Sequence, residues 1–300
     1  MYAIMGITGQ VGGAVARTLL AEAKPVRAIV RDASKGRTWA NRGCEVALAN
    51  INDNPSLAAA LQGVEGAFVL VPPNFDPAPG FPEAQALGAV LRAALDTAKP
   101  ARVVYLSTIG AQAREVNLLT QHTIIEKTLG ECPMPVTFLR PAWFMENSSW
   151  DVAAARGQGL IASFLQPIDK PVPMVATEDI GKEAARLLQE TWTGHRIVEL
   201  EGPRRVAPND IAATFAMLLG RAVRTEAVPP ESWEALFKSQ GMKYPVPRIR
   251  MLDGFNEGWI EFERGEAGSK KGNIPLETVL RALVQAEMKR PGEDVRVAGT

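Results

Sequence analysis

The chain has 300 residues, 46% of them hydrophobic, enough to bury one large α/β domain with a smaller annex. Lys plus Arg and Asp plus Glu each number 33, so the formal net charge is zero, and direct nucleic-acid binding is not expected. Cys44 and Cys132 have neither metal-ligand nor disulfide spacing, and the apolar runs are too short to span a membrane, so a cytoplasmic protein without a metal site is expected.

Residues 2–5 form a short apolar run that predicts a strand. It breaks into Gly6-Ile7-Thr8-Gly9-Gln10-Val11-Gly12, and a helical pattern follows over residues 14–22. Strand, glycine turn and helix in that order suit a dinucleotide. Gly6 permits the tight exit, Gly9 lets backbone approach a pyrophosphate, and Gly12 lets the helix lie close on the sheet. The first N–H groups of the helix then face the anion. Residues 26–31 predict the second strand, ending in Arg31, with Asp32 next and Lys35 four residues on. A cation at this tip suits the 2′-phosphate of NADP, and an acid suits the ribose hydroxyl of NAD. NADP(H) is therefore preferred and NAD(H) remains open, as does a reading of both cations as surface residues on a loop.

Residues 43–50 predict a third strand and residues 56–61 a helix. Residues 67–71 are a continuous apolar run, as in a strand buried on both faces, leading into Pro72-Pro73. Pro77, Pro79, Gly80 and Pro82 mark a mobile loop over residues 74–82. Residues 83–96 predict a helix, 101–107 a strand carrying Ser107 to the same sheet edge, 120–129 a helix and 135–141 a sixth strand. Strict alternation over this length predicts a Rossmann-type doubly wound parallel sheet in residues 1–150, with returning segments from about 170–200.

Beyond Trp150 the alternation weakens, and residues 151–300 read as a smaller α+β region. Arg156-Gly157-Gln158-Gly159 predicts a β-turn feeding a strand, and Thr177 a helix N-cap. Residues 196–200 and 223–228 read as strands, and 208–220, 232–241 and 276–287 as helices. Leu252, Phe255, Trp259 and Phe262 share helical spacing over residues 251–262, more simply core than cofactor contact. From Pro291 a polar, frayed tail is expected.

The glycine turn, Val30-Arg31-Asp32, His122 with Glu126, the string Phe138-Leu139-Arg140-Pro141-Ala142-Trp143-Phe144-Met145-Glu146-Asn147 and Ala176-Thr177-Glu178-Asp179-Ile180 together resemble the NmrA-like branch of atypical short-chain dehydrogenases. Its quinone-oxidoreductase-like members are the nearest in pattern. By that resemblance Gly6, Thr8, Gly9, Gln10, Val11, Gly12, Arg31 and Lys35 hold the pyrophosphate and 2′-phosphate, and Asn50-Ile51 lies by the adenine. Val71, Pro72, Pro73, Ser107, Pro141 and Phe144 flank ribose and nicotinamide, while the C-terminal region caps the cleft. Trp143, Phe144 and Asn147 then face a flat, electrophilic small molecule.

The wider superfamily's Tyr-x-x-x-Lys pair is missing: none of Tyr2, Tyr105 and Tyr244 is followed by a lysine four residues on. His122 and Glu126 instead take the i, i+4 spacing, so they can meet on one helix face. A carboxylate there can orient the imidazole and raise its pKa toward neutrality, giving a catalytic pair; a structural pair beside the cofactor is the other reading. Hydride transfer to a quinone needs less acid–base help than alcohol oxidation. The expectation is an NADP(H)-dependent reductase of a small electrophile such as a quinone, as monomer or homodimer. The alternative is a non-catalytic NADP(H) redox sensor with a protein partner.

Overall fold

In the computed structural model, which describes residues 1–289, the first half of the chain alternates strand and helix. Its elements are β1 (Tyr2–Ile4), α1 (Gln10–Ala21), β2 (Val26–Val30), α2 (Ala33–Ala40), β3 (Glu45–Leu48), α3 (Asn54–Leu61), β4 (Gly66–Val69), α4 (Pro82–Ala98), β5 (Arg102–Leu106), α5 (Thr120–Leu129) and β6 (Val136–Pro141). The second half continues with β7 (Trp143–Phe144), a 3₁₀ turn (Met145–Trp150), α6 (Val152–Gln158), β8 (Leu160–Ser163), β9 (Met174–Val175), α7 (Thr177–Gln189) and β10 (His195–Glu201). It closes with α8 (Pro208–Leu219), β11 (Arg224–Ala227), α9 (Trp233–Ser239), α10 (Val246–Glu257), α11 (Gly265–Gly268), β12 (Lys270–Lys271) and α12 (Leu276–Met288). The polar tail expected from Pro291 lies outside the described residues.

Eight strands form one sheet in the order β12-β10-β6-β5-β4-β1-β2-β3, and every pair is parallel. The order reverses between β1 and β4: Tyr2 pairs with Val26 on one side and Gly66 on the other. Burial follows position. The central strands β1, β4 and β6 are buried at every residue, whereas edge strand β3 is not. This is why continuous apolar runs, rather than alternation, mark the central strands in the sequence. The sheet is therefore α/β and doubly wound, with β10 and β12 added from the last third of the chain. Two further two-stranded parallel sheets, β11-β8 and β7-β9, stand apart from it.

Four local expectations are corrected. The loop after Arg31 is helix α2, nucleated by Asp32, whose side chain accepts the Ser34 N–H at 2.8 Å. Only Gly36 and Trp39 of α2 are buried, so its sequence carries little apolar periodicity. Arg156-Gly157-Gln158 is the end of α6 rather than a β-turn, and Gly159 closes it in the left-handed conformation at φ 67°. Thr177 is the first helical residue of α7, not its cap. Ala176 holds the cap position, and Glu146 Oε1 accepts from the Thr177 N–H at 2.9 Å and hydroxyl at 2.7 Å. The aromatic helix starts earlier, at Val246, and stops at Gly258, which leaves Trp259 and Phe262 outside it.

The proline-rich stretch before α4 is fastened rather than free. Asp76 accepts the backbone N–H groups of Lys243 and Tyr244 at 2.8 and 2.6 Å, and Gln121 Nε2 donates to the Asn74 carbonyl at 2.9 Å.

Candidate functional site

The turn after β1 leaves donors without partners. Gly6 adopts φ +62°, and a Cβ on Gly12 would lie 2.4 Å from the Gly6 carbonyl oxygen, so residues 6–12 close tightly only with glycine at both positions. Gly9 stands at the cap of α1 with no side-chain cap and no acid in the first turn. The N–H groups of Gln10, Val11 and Gly12 donate to none of the described residues. Thr8, Gly9 and Gln10 are exposed. Three aligned donors at a helix start, flanked by a cradle that a Cβ would fill, fit a pyrophosphate.

At the tip of β2, Arg31 and Lys35 are exposed, and neither side chain makes a hydrogen bond or ion pair with the described residues. Asp32 is committed elsewhere: bonding to Ser34 holds its carboxyl below the usual carboxylate range. The acid that could have served a ribose diol is thus used as a helix cap, and the two cations beside it remain available. Asn50 is exposed beyond β3, where its side-chain oxygen accepts the Asn52 N–H at 3.0 Å, and Ile51 packs partly against the core.

A cavity of about 530 Å³ opens along the carboxyl ends of β4, β5 and β6. Val71, Pro72 and Pro73 follow β4, Thr108 and Ile109 follow β5, and Ala142, Trp143, Phe144 and Asn147 follow β6. The far wall comes from residues 161–165 and from α10, through Arg248, Met251, Leu252 and Phe255. Trp143 meets Phe255 edge to face, with centroids 5.3 Å apart and planes at 87°. The glycine turn adjoins this cavity: a Cβ on Gly6 would strike the Leu70 side chain at 2.7 Å, and the next residue, Val71, is a cavity wall.

The expected His122–Glu126 pair is not formed. His122 lines the cavity, and its Nδ1 lies 2.8 Å from the Tyr105 hydroxyl. Glu126, one turn on, faces a separate hollow and is held by Arg140 through two bonds, Nε to Oε1 at 2.9 Å and Nη2 to Oε2 at 2.6 Å. The Ser107 hydroxyl donates to the same carboxylate at 2.5 Å. A guanidinium fork matches a carboxylate in a way that an imidazole cannot, so Arg140 takes Glu126 and leaves His122 to the phenol. The expected upward shift of His122 is likewise reversed, because burial pushes its pKa down to about 4. Burial, and then the charge of Glu126, raise the Tyr105 hydroxyl well above its ordinary value. We assign Tyr105 as the donor to Nδ1, which leaves the proton of the neutral imidazole on Nε2.

Ser107 and Pro141 are buried behind the cavity rather than in its wall; Thr108 and Ala142, their neighbours, occupy the wall. Among the polar wall residues that were not foreseen, Asp151 and Arg248 stand out. Asp151, at the start of α6, has a side chain with no hydrogen-bond partner among the described residues, and burial raises its pKa to about 7. Arg248 is half-buried at the opposite wall. Neither sits in a motif, and only the packing of the C-terminal elements over the sheet edge brings them into the cavity. Among the described residues no helix is long and apolar enough to cross a membrane.

Comparison with known proteins places these features in context. A sequence model of the NmrA-like family matches residues 2–258. An NAD(P)H azoreductase of Xenophilus azovorans is 30% identical over 245 residues, covering 81% of this chain and 82% of that protein. Quinone oxidoreductase 2 of Escherichia coli strain K12 is 28% identical over 247 residues, covering 81% and 82%. The crystal structure of the NADPH-dependent quinone oxidoreductase of E. coli complexed with NADPH superposes with a TM-score of 0.70 at 24% identity, over 95% of each chain.

Proposed function

The chain belongs to the NmrA-like family, and on that premise we propose that it is an NADP(H)-dependent oxidoreductase that reduces a flat, electrophilic small molecule of the quinone type. One observation carries the reading. A mainly apolar cavity lies on the carboxyl ends of β4, β5 and β6 and adjoins a glycine turn whose Gln10, Val11 and Gly12 N–H groups have no partner among the described residues, at the point where strand order reverses.

Gly6, Thr8, Gly9, Gln10, Val11 and Gly12 hold the pyrophosphate, and Arg31 with Lys35 holds the 2′-phosphate. Val71, Pro72, Pro73 and Phe144 exclude water beside the nicotinamide. Bound NADPH supplies the reducing equivalent. Trp143, Phe144 and Phe255 stack on or bracket the acceptor ring, and Asn147 offers it an amide. His122, neutral at physiological pH, presents Nε2–H to the acceptor's oxygen, a hydrogen bond that strengthens as negative charge develops there. Asp151, whose pKa burial raises to about 7, holds an exchangeable proton in the same cavity.

The test is a titration of the purified protein with NADPH, NADP, NADH and NAD, followed by turnover with menadione in the same cuvette. NADPH is expected to bind tightest, and His122→Ala to lower kcat by about 10–100-fold with little change in nucleotide affinity. If none of the four nucleotides binds, the reading fails. Tight binding without turnover of quinones, enones or azo compounds would support a sensor of the cofactor ratio instead.

A further inference from the structure

Buried arginines elsewhere in the chain are matched by acids. Arg140 is held by Glu126 and Glu263, and Arg205 by Glu261 and Glu201. Arg248 breaks that pattern. It sits in the first turn of α10 with its guanidinium 4.3 Å over the Phe237 ring, and its one hydrogen bond among the described residues runs from Nη1 to the thioether of Met242 at 3.8 Å. Among the described residues no carboxylate lies within ion-pairing distance, although the cavity it lines also contains Glu83 and Asp151. Burial lowers its pKa, so the surroundings withdraw water from the cation without returning an anion. The Phe237 ring lies beneath it, and four of its five N–H donors have no partner among the described residues.

A partly desolvated guanidinium, unmatched among the described residues and set in a mainly apolar cavity, is an incomplete ion pair. Its complement has to come from what enters. Resting on the oxidoreductase reading above, we propose that the acceptor taken by this cavity is a flat electrophile with an anionic substituent, a carboxylate, sulfonate or phosphate, which Arg248 receives on the wall opposite the β4–β6 edge. The aromatic pair Trp143 and Phe255 takes the ring, and Arg248 sets which ring-bearing molecules are preferred. None of the glycine-turn residues lines this cavity, so the guanidinium does not serve the pyrophosphate.

The experiment uses two acceptors with the same ring, 2-methyl-1,4-naphthoquinone-3-propanoate and its methyl ester, with NADPH at pH 6, where Asp151 carries little charge. The wild-type protein is expected to prefer the acid in kcat/KM. In Arg248→Met the acid-to-ester ratio should fall by about 10-fold or more, mainly through KM for the acid, and Arg248→Lys should recover part of it. Because each variant is scored as a ratio, a general loss of fold or rate cancels. A ratio unchanged within twofold in Arg248→Met overturns the proposal. If the wild-type protein reduces neither quinone, the oxidoreductase reading has failed. Quenching of tryptophan fluorescence by the acid and the ester, compared between wild type and Arg248→Met, then decides the role of Arg248 on its own.

Discussion

His122 and Asp151 face one cavity, and burial acts on them in opposite senses, since it disfavours whichever form is charged. For His122 the folded pKa of about 4 lies below the ordinary 6.5, so its contribution to stability is full above pH 6.5 and is lost as pH falls toward 4. For Asp151 the folded value of about 7 lies above the ordinary 3.8, so its contribution is full below pH 4 and is lost as pH rises through 7. Asp151→Asn should therefore stabilise the protein by about 1–3 kcal/mol at pH 8 and change little at pH 4. Thermal melting at the two pH values checks this; an equal change at both would mean that ionisation of Asp151 is not what costs stability. Residue roles were only partly legible. The i, i+4 spacing correctly puts His122 and Glu126 one turn apart, but it cannot show that Arg140 and Tyr105, from neighbouring strands, compete for them. Their distances are set by how α5 packs on the sheet, and no local pattern encodes that.

Helix α5 is joined to β6 through Glu126 and Arg140, whose side chains are 10% and 5% exposed, so neither charge can fall back on water, and without Glu126 the guanidinium keeps only its single bond to the carboxylate of Glu263 among the described acids. Glu126→Gln should destabilise the fold by about 3 kcal/mol, because a buried guanidinium loses its bidentate anion. Glu126→Leu with Arg140→Met should cost less than the single change, as measured by urea unfolding of both variants. Readability of elements followed burial. Strands buried on both faces, such as β1 and β4, stand out as apolar runs, and α5 begins and ends where its pattern does. Helix α2 buries two residues and is set by a capping aspartate, and α6 is short and closed by a glycine that also suits a turn. Helix α10 has Pro245 at its cap and Pro247 in its first turn, residues that serve a helix start as well as they serve a loop.

Across the whole molecule, the parallel sheet places the glycine turn, the tip of β2 and the cavity along one edge, which is why a motif in the first twelve residues points to a cavity finished by α10. Strand β12 pairs with β10 and so adds residues 270–271 to the sheet that begins at Tyr2. A ligand on that edge should therefore stabilise the sheet as a unit. NADPH at about 100 times its Kd is expected to raise Tm by about 5 °C, and NADH at the same concentration by less. Equal shifts for the two nucleotides would remove the case for Arg31 and Lys35 as the 2′-phosphate site.

The carboxylate of Asp76 grips two consecutive backbone N–H groups at Lys243 and Tyr244, just before the helix that carries Arg248, and Gln121 grips Asn74 from the helix that carries His122. Both jambs of the doorway are thus bolted to the same short stretch of chain. Such a doorway has a set width. If the proposed acceptor enters here, its thickness and outline should decide admission, and a planar ring should be reduced faster than a bulkier molecule of equal reactivity.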